Sequence, residues 1–255
     1  MIIKQCPSPN FDDRTLPITL LVLHYTGMET GQAALSRMCD AEAKVSAHYM
    51  VSEDGSITQL VDEGKRAWHA GVSEWAGQSN INSASVGIEI VNGGHDFRGV
   101  SGALPPYPDM QINAVIALSK AVMARHAITP MNVLGHSDIA PARKQDPGEH
   151  FPWQGLAAAG IGLWPSAASD DRRALFEAGS RDRGVAILQS GLAHIGYCAR
   201  VTGVMDTSTA EIVTALQRRY RPAKIDGIVD METMDIIKGL VDMGRKSASN
   251  DGLIG

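Results

Sequence analysis

The run Ile18-Thr19-Leu20-Leu21-Val22-Leu23 is almost wholly apolar and ends abruptly in His24-Tyr25-Thr26-Gly27. A stretch that is apolar at successive positions has no solvent face, so it reads as a strand covered on both sides. Working outward, Val45 to Val51 and Ile57 to Val61 flank Glu53-Asp54-Gly55-Ser56 and read as a hairpin. A short helix with Ala34, Leu35, Met38 and Cys39 on one face precedes it. Val86-Gly87-Ile88-Glu89-Ile90-Val91 is a further strand with a carboxylate in its middle. Beyond a Gly- and Pro-rich loop, Ile112, Val115, Ile116, Val122 and Met123 recur at helical spacing up to His126. Val133-Leu134-Gly135-His136 is a short last strand. Strands alternating with helices predict an α/β domain, a mixed β-sheet flanked by helices, over residues 1–165.

The remainder has a different character. Residues 166–183 are small or charged without strong periodicity and read as a linker. Two copies of one pattern then follow: Gly203-Val204-Met205-Asp206 before Thr209, Ile212 and Leu216, and Gly227-Ile228-Val229-Asp230 before Thr233, Ile236 and Leu240. Each Asp stands where a helix N-cap belongs. With an earlier helix carrying Val185, Leu188, Leu192 and Ile195, residues 184–245 predict a small all-α three-helix bundle, and 246–255 a tail.

The chain has 255 residues, 23 Lys+Arg against 28 Asp+Glu, 44% hydrophobic and 20% charged residues. That composition is globular and excludes collagen-like, coiled-coil and disordered classes. The mild net charge of −5 speaks against a nucleic-acid partner, because phosphate binding rests on a basic excess. All four Trp and seven of the eight His precede residue 166, so the chemistry is expected in the first unit. Cys6, Cys39 and Cys198 are too few and too far apart for a disulfide framework or a Cys-based metal site. No apolar run approaches the roughly 20 residues of a membrane span, and Met1 to Pro7 does not resemble an export signal. A cytoplasmic chain is the expectation, with a periplasmic or outer-membrane-associated one the alternative if a leader has been removed. Oligomeric state is left open.

Two strand-terminal imidazoles, His24 and His136, and the turn carboxylate of Asp146 form a donor set that suits Zn²⁺. Glu89 is the second unusual residue, since a carboxylate inside an apolar strand needs a polar cleft to face. Lys144 rides on the same loop as Asp146. The Asp138 carboxylate is a candidate either to orient His136 or to cap a turn.

His24-Tyr25-Thr26, Ala67-Trp68-His69-Ala70-Gly71, Asn82 to Asn92, and Gly135 to Gly148 closely resemble the zinc-dependent N-acetylmuramoyl-L-alanine amidases, the class that includes the peptidoglycan recognition proteins. The C-terminal repeat resembles the type 1 peptidoglycan-binding domain. The resemblance implies that His24, His136 and Asp146 hold zinc, that Glu89 activates the attacking water, and that Lys144 stabilises the oxyanion. Some members place a Tyr where this chain has Ala47, which leaves the acid–base role to Glu89. Tyr25, Trp68, His69, Trp75, Asn82 and Arg143 are expected as substrate contacts, with a structural role the alternative for His69. His95, His126, His150 and His194 match no ligand position and are expected at the surface. The implied reaction is hydrolysis of the bond between N-acetylmuramic or anhydro-N-acetylmuramic acid and L-alanine, in peptidoglycan or soluble muropeptides. The alternative is a non-catalytic recognition protein, a class that typically lacks one of the zinc ligands.

Overall fold

Alternate residues of a strand point to opposite sides of its sheet, and the run after Pro17 uses both sides. In the computed structural model, which describes residues 2–166, 171 and 173–251, it becomes the third of eight strands among the described residues. These are β1 (Ile3–Gln5), β2 (Phe11–Asp13), β3 (Leu20–Tyr25), β4 (Tyr49–Val51), β5 (Ile57–Gln59), β6 (Lys65–Ala67), β7 (Ser85–Ile90) and β8 (Val133–Gly135). Six form one mixed sheet in the order β1-β5-β4-β7-β3-β8, and β2 pairs with β6 in a small antiparallel ribbon. The expected hairpin is β4–β5, the antiparallel pair of the large sheet.

Helices α1 (Gly31–Met38), α2 (Ile81–Ala84), α3 (Asp109–His126), α4 (His136–Ile139) and α5 (Trp153–Ala158) belong to the first unit. Leu21 and Leu23 of β3 and Val86, Ile88 and Ile90 of β7 face α3, where Val115, Leu118 and Val122 close a dry layer. Each such side chain contributes about 2 kcal/mol relative to exposure. The other parity, Leu20 and Val22, belongs to a second core shared with the C-terminal helices. His24, Ser85, Gly87 and Glu89 share that second side of the sheet, beyond the edge of the helical cover. The alternation therefore turns Glu89 away from the core, as its charge requires.

The C-terminal helices are α6 (Arg183–Ile195), α7 (Thr207–Tyr220) and α8 (Met231–Asp251). Both repeat aspartates act as the sequence suggests: Asp206 accepts from the Thr209 amide at 2.8 Å and Asp230 from that of Thr233 at 3.0 Å. A buried glutamine on the preceding helix secures each repeat loop. Gln189 accepts from the amides of Thr202 and Gly203, and Gln217 from those of Asp226 and Gly227.

Two boundaries differ from expectation. The segment expected as a linker is not a free tether where it is described. Phe176 pairs with Val229 and Arg181 with Val204 as β-bridges, which seat its second half on the repeat loops. Residues 167–170 and 172 of that segment lie outside the described residues. The expected tail is helical to Asp251, since the α8 backbone continues, while 252–255 also lie outside. No disulfide is present among the described residues; Cys6 and Cys39 approach to 3.6 Å as thiols.

Candidate active site

β3 and β7 are parallel neighbours with His24 opposite Glu89 in register, so both side chains emerge on the same side at the carboxyl ends of their strands. Ligand sites of open α/β sheets sit at those ends. β8 lies on the other flank of β3, and the first residue after it, His136, turns toward His24. The loop after α4 returns Asp146 to the same point, held by a Ser137 amide donating to the Asp146 carbonyl at 2.9 Å.

His24 Nδ1, His136 Nδ1 and Asp146 Oδ2 form a triangle with sides of 2.9, 3.0 and 3.0 Å. The outer nitrogens decide what occupies these positions. Ser85 Oγ donates to the Ile81 carbonyl at 2.7 Å, so it accepts from His69 Nε2 at 3.2 Å. His69 Nδ1 is then the acceptor for His24 Nε2 at 3.0 Å, which leaves His24 Nδ1 a bare lone pair. His136 Nε2 donates to the Ala70 carbonyl at 3.0 Å, which leaves its Nδ1 bare as well. Burial, and after it the neighbouring His136, lowers the His24 pKa to about 4, so no proton fills the gap. Two lone pairs and a carboxylate oxygen crowded together repel one another unless a cation lies between them. The N, N, O donor set fits a divalent metal.

One dipeptide orients both imidazoles, with His69 backing His24 and the Ala70 carbonyl backing His136. Asn82 Oδ1 fixes it by accepting from both amides, at 3.0 and 2.8 Å. Gly87 makes room for it, since a Cβ there would lie 2.6 Å from the His69 ring.

The triangle forms the floor of a cleft of about 380 Å³. Glu89, Tyr25, Lys144 and Arg143 line it, as does His95. Glu89 Oε2 is buried without a hydrogen-bond partner. Burial pushes this carboxyl well above its ordinary pKa; the Asp146 charge adds to the rise and Lys144 offsets part of it.

Of the expected contacts, Tyr25 and Arg143 reach the cleft, and His69 borders it only from behind His24. Three do not reach it. Asn82 is spent on the 69–70 backbone, and Trp68 lies partly buried away from the cleft. Trp75 is buried against Tyr197 of the helical unit, ring centroids 4.9 Å apart. His95 was expected at the surface, yet its Nδ1 accepts from Tyr25 at 3.0 Å and its Nε2 bonds Glu149. Its place in the loop directly after the Glu89 strand was the available signal. His126 and His150 are half-buried: the first pairs with Glu63 at 2.6 Å and the second stacks on Tyr107. His194 is exposed. Asp138 makes no bond to His136; it caps α4 through the Gly135 amide at 2.8 Å.

A family model described as N-acetylmuramoyl-L-alanine amidase matches residues 14–149, more than half of the chain. The chain belongs to the N-acetylmuramoyl-L-alanine amidase family. A second model, a putative peptidoglycan binding domain, matches residues 181–237. Among relatives of this amidase, N-acetylmuramoyl-L-alanine amidase AmiD of Escherichia coli (strain K12) is 37% identical over 232 residues, 88% of this chain and 83% of that protein. The 1,6-anhydro-N-acetylmuramyl-L-alanine amidase AmpD of Haemophilus influenzae is 33% identical over 59% of this chain and 88% of its own. The amidase superposes on the complex of E. coli AmiD with anhydro-N-acetylmuramic acid-L-Ala-D-gamma-Glu-L-Lys with a TM-score of 0.74 and 36% identity, covering 91% of this chain and 92% of that one. AmpDh3 of Pseudomonas aeruginosa with an anhydromuramic pentapeptide gives the same TM-score and identity, over 89% and 92%. Among the described residues, no helix of the amidase is long and apolar enough to cross a membrane.

Proposed function

We propose that the cleft hydrolyses the amide bond joining the lactyl group of N-acetylmuramic or anhydro-N-acetylmuramic acid to the L-alanine of a stem peptide, with Zn²⁺ held by His24, His136 and Asp146. The observation that carries this reading is the triangle of bare donors beside the unpartnered Glu89 oxygen. Bound zinc supplies Lewis-acid polarisation of the scissile carbonyl and acidifies a water molecule. Glu89, desolvated and poised to hold a proton, takes one from the attacking water and returns it to the departing alanine nitrogen. Lys144 presents its ammonium to the oxygen on which negative charge develops, where one lost donor typically costs about 10²–10³ in rate. Arg37, Arg143 and Lys144 around the cleft suit the carboxylates of a stem peptide.

The complete donor set, with Glu89 and Lys144 in the same cleft, favours turnover over recognition alone. Protein stripped with a chelator should release no stem peptide from a soluble anhydromuropeptide and recover on addition of zinc. Zinc-loaded protein that retained sacculi but freed no peptide from either substrate would overturn the reading. Comparing rates on sacculi and on soluble anhydromuropeptides separates wall turnover outside the inner membrane from recycling in the cytoplasm.

A further inference from the structure

The turn that carries His136 is held from behind by the C-terminal helices. Asp138, 1% exposed, receives three bonds. Its Oδ2 takes the Gly135 amide at 2.8 Å and a short bond from Arg219 Nη1, and its Oδ1 takes the Tyr197 hydroxyl at 2.8 Å. Arg219 Nη2 also donates to the Val133 carbonyl at 3.0 Å, so one guanidinium grips both ends of the segment 133–138. Its Cζ lies 4.0 Å from the centre of the Trp153 ring, and that ring abuts Gly135, 3.3 Å from where a Cβ would stand. Arg219 and Tyr197 are 4% and 3% exposed and so reach neither solvent nor polymer. A fixed fork of this kind constrains a backbone where a single flexible cation would not.

We propose that Arg219 and Tyr197 are positioning residues for His136, and that the C-terminal unit is therefore part of the metal centre's framework as well as a wall-binding module. The inference rests on the reading of His136 as a zinc ligand. A wall-binding unit affects retention on sacculi and apparent KM on polymer. A framework unit affects metal affinity and kcat on a substrate too small to span both units, because a donor displaced by a fraction of an ångström coordinates less well.

The test uses the full chain with Tyr197→Phe, Arg219→Lys and Arg219→Met. Thermal melting reports folding, chelator competition reports zinc affinity, the visible spectrum of the Co²⁺-substituted protein reports ligand geometry, and kinetics use a soluble anhydromuropeptide. Loss of a bond made directly to a metal ligand typically weakens metal binding about 10–100-fold, and these bonds act one step further back, on the backbone that carries the ligand. Tyr197→Phe, which keeps the ring against Trp75 and loses one bond, should therefore weaken zinc binding by less than about 10-fold. Its Co²⁺ spectrum should be altered and its kcat lowered, with KM unchanged. Arg219→Met should lie further along the same axis and Arg219→Lys between the two. Folded Tyr197→Phe and Arg219→Lys proteins with wild-type zinc affinity, spectrum and kcat would overturn the proposal, even if Arg219→Met does not fold. Failure of the wild-type protein to bind zinc or cleave the substrate would instead overturn the reading beneath it.

Discussion

Asp138 is a buried carboxylate behind His136, Glu89 a half-buried carboxyl in register with His24 with one oxygen out of solvent, and their surroundings are opposite. Asp138 has an amide, a phenol and a guanidinium arranged around it. Glu89 keeps one oxygen with no partner and faces the Asp146 charge across the cleft. A saturated buried carboxylate fixes a backbone, whereas an unsatisfied one costs stability that folding alone does not justify. The rear of the site is built for rigidity and its face for proton transfer.

The largest expected effect separates the two. Glu89→Gln removes the base and keeps the shape, so kcat should fall by about 10²–10⁴ while zinc content and melting temperature do not drop. A rate within a few-fold of wild type would assign the proton transfer elsewhere. Asp138→Asn should show the reverse pattern. It leaves Arg219 buried without its counter-charge, which typically costs about 3–5 kcal/mol and is read from denaturant unfolding. An equal loss of stability in both variants would erase the distinction.

Acid probes the sheet beneath the site. His48 Nδ1 accepts the Gly87 amide at 2.9 Å, and a proton on that nitrogen would break the bond. Burial is the main reason its pKa falls to about 4 from 6.5. With the folded value depressed, the unfolded chain takes up the proton first. The stabilisation is complete above pH 6.5 and is lost as pH falls toward 4, by up to about 3 kcal/mol for this one residue. Melting of chelator-treated protein across that window measures the slope, which should shrink in His48→Gln.

His69→Ala tests the front support in the way that the Tyr197 and Arg219 variants test the rear one. It removes the acceptor of His24 Nε2 and should weaken zinc binding about 10–100-fold. Normal affinity by chelator competition would mean that β3 alone aims His24.

The division between legible and hidden residues follows range. His24, His136 and Glu89 could be read because strand ends and parity are local properties, and Asp146 because it lies in the family-like stretch Gly135 to Gly148. β1, β2 and β6 are mostly exposed, so no apolar run marks them, whereas the equally short β4, β5 and β8 are mostly buried. Asn82 and Trp75 carry no sequence mark of their protein partners, because those partners are set by docking: the amides of His69 and Ala70 in one case and Tyr197 in the other. The seam between the units hid for the same reason. Leu20 and Val22 look like any buried strand residues, and only the fold shows that they share a core with α6 to α8.

Arg218 and Arg219 are neighbours on α7, yet they meet the first unit in different ways. Arg219 makes defined bonds in a dry site. Arg218 only approaches Glu149, Nε to Oε2 at 3.7 Å, and its Nε makes no hydrogen bond. Glu149 is held to a pKa of about 2 chiefly by its bond to His95, with Arg218 contributing least among the causes. The Arg218 side chain is only 12% exposed, so salt screens this pair weakly and its stem is packed. Arg218→Ala should therefore cost about 1 kcal/mol of stability, mostly through lost packing, and leave zinc affinity at wild type. If instead it weakened zinc binding as much as Arg219→Lys, positive charge on α7 rather than bond geometry would be supporting the His136 turn. The adjacent pair thus tests whether the helical unit acts on the metal site by direction or by field.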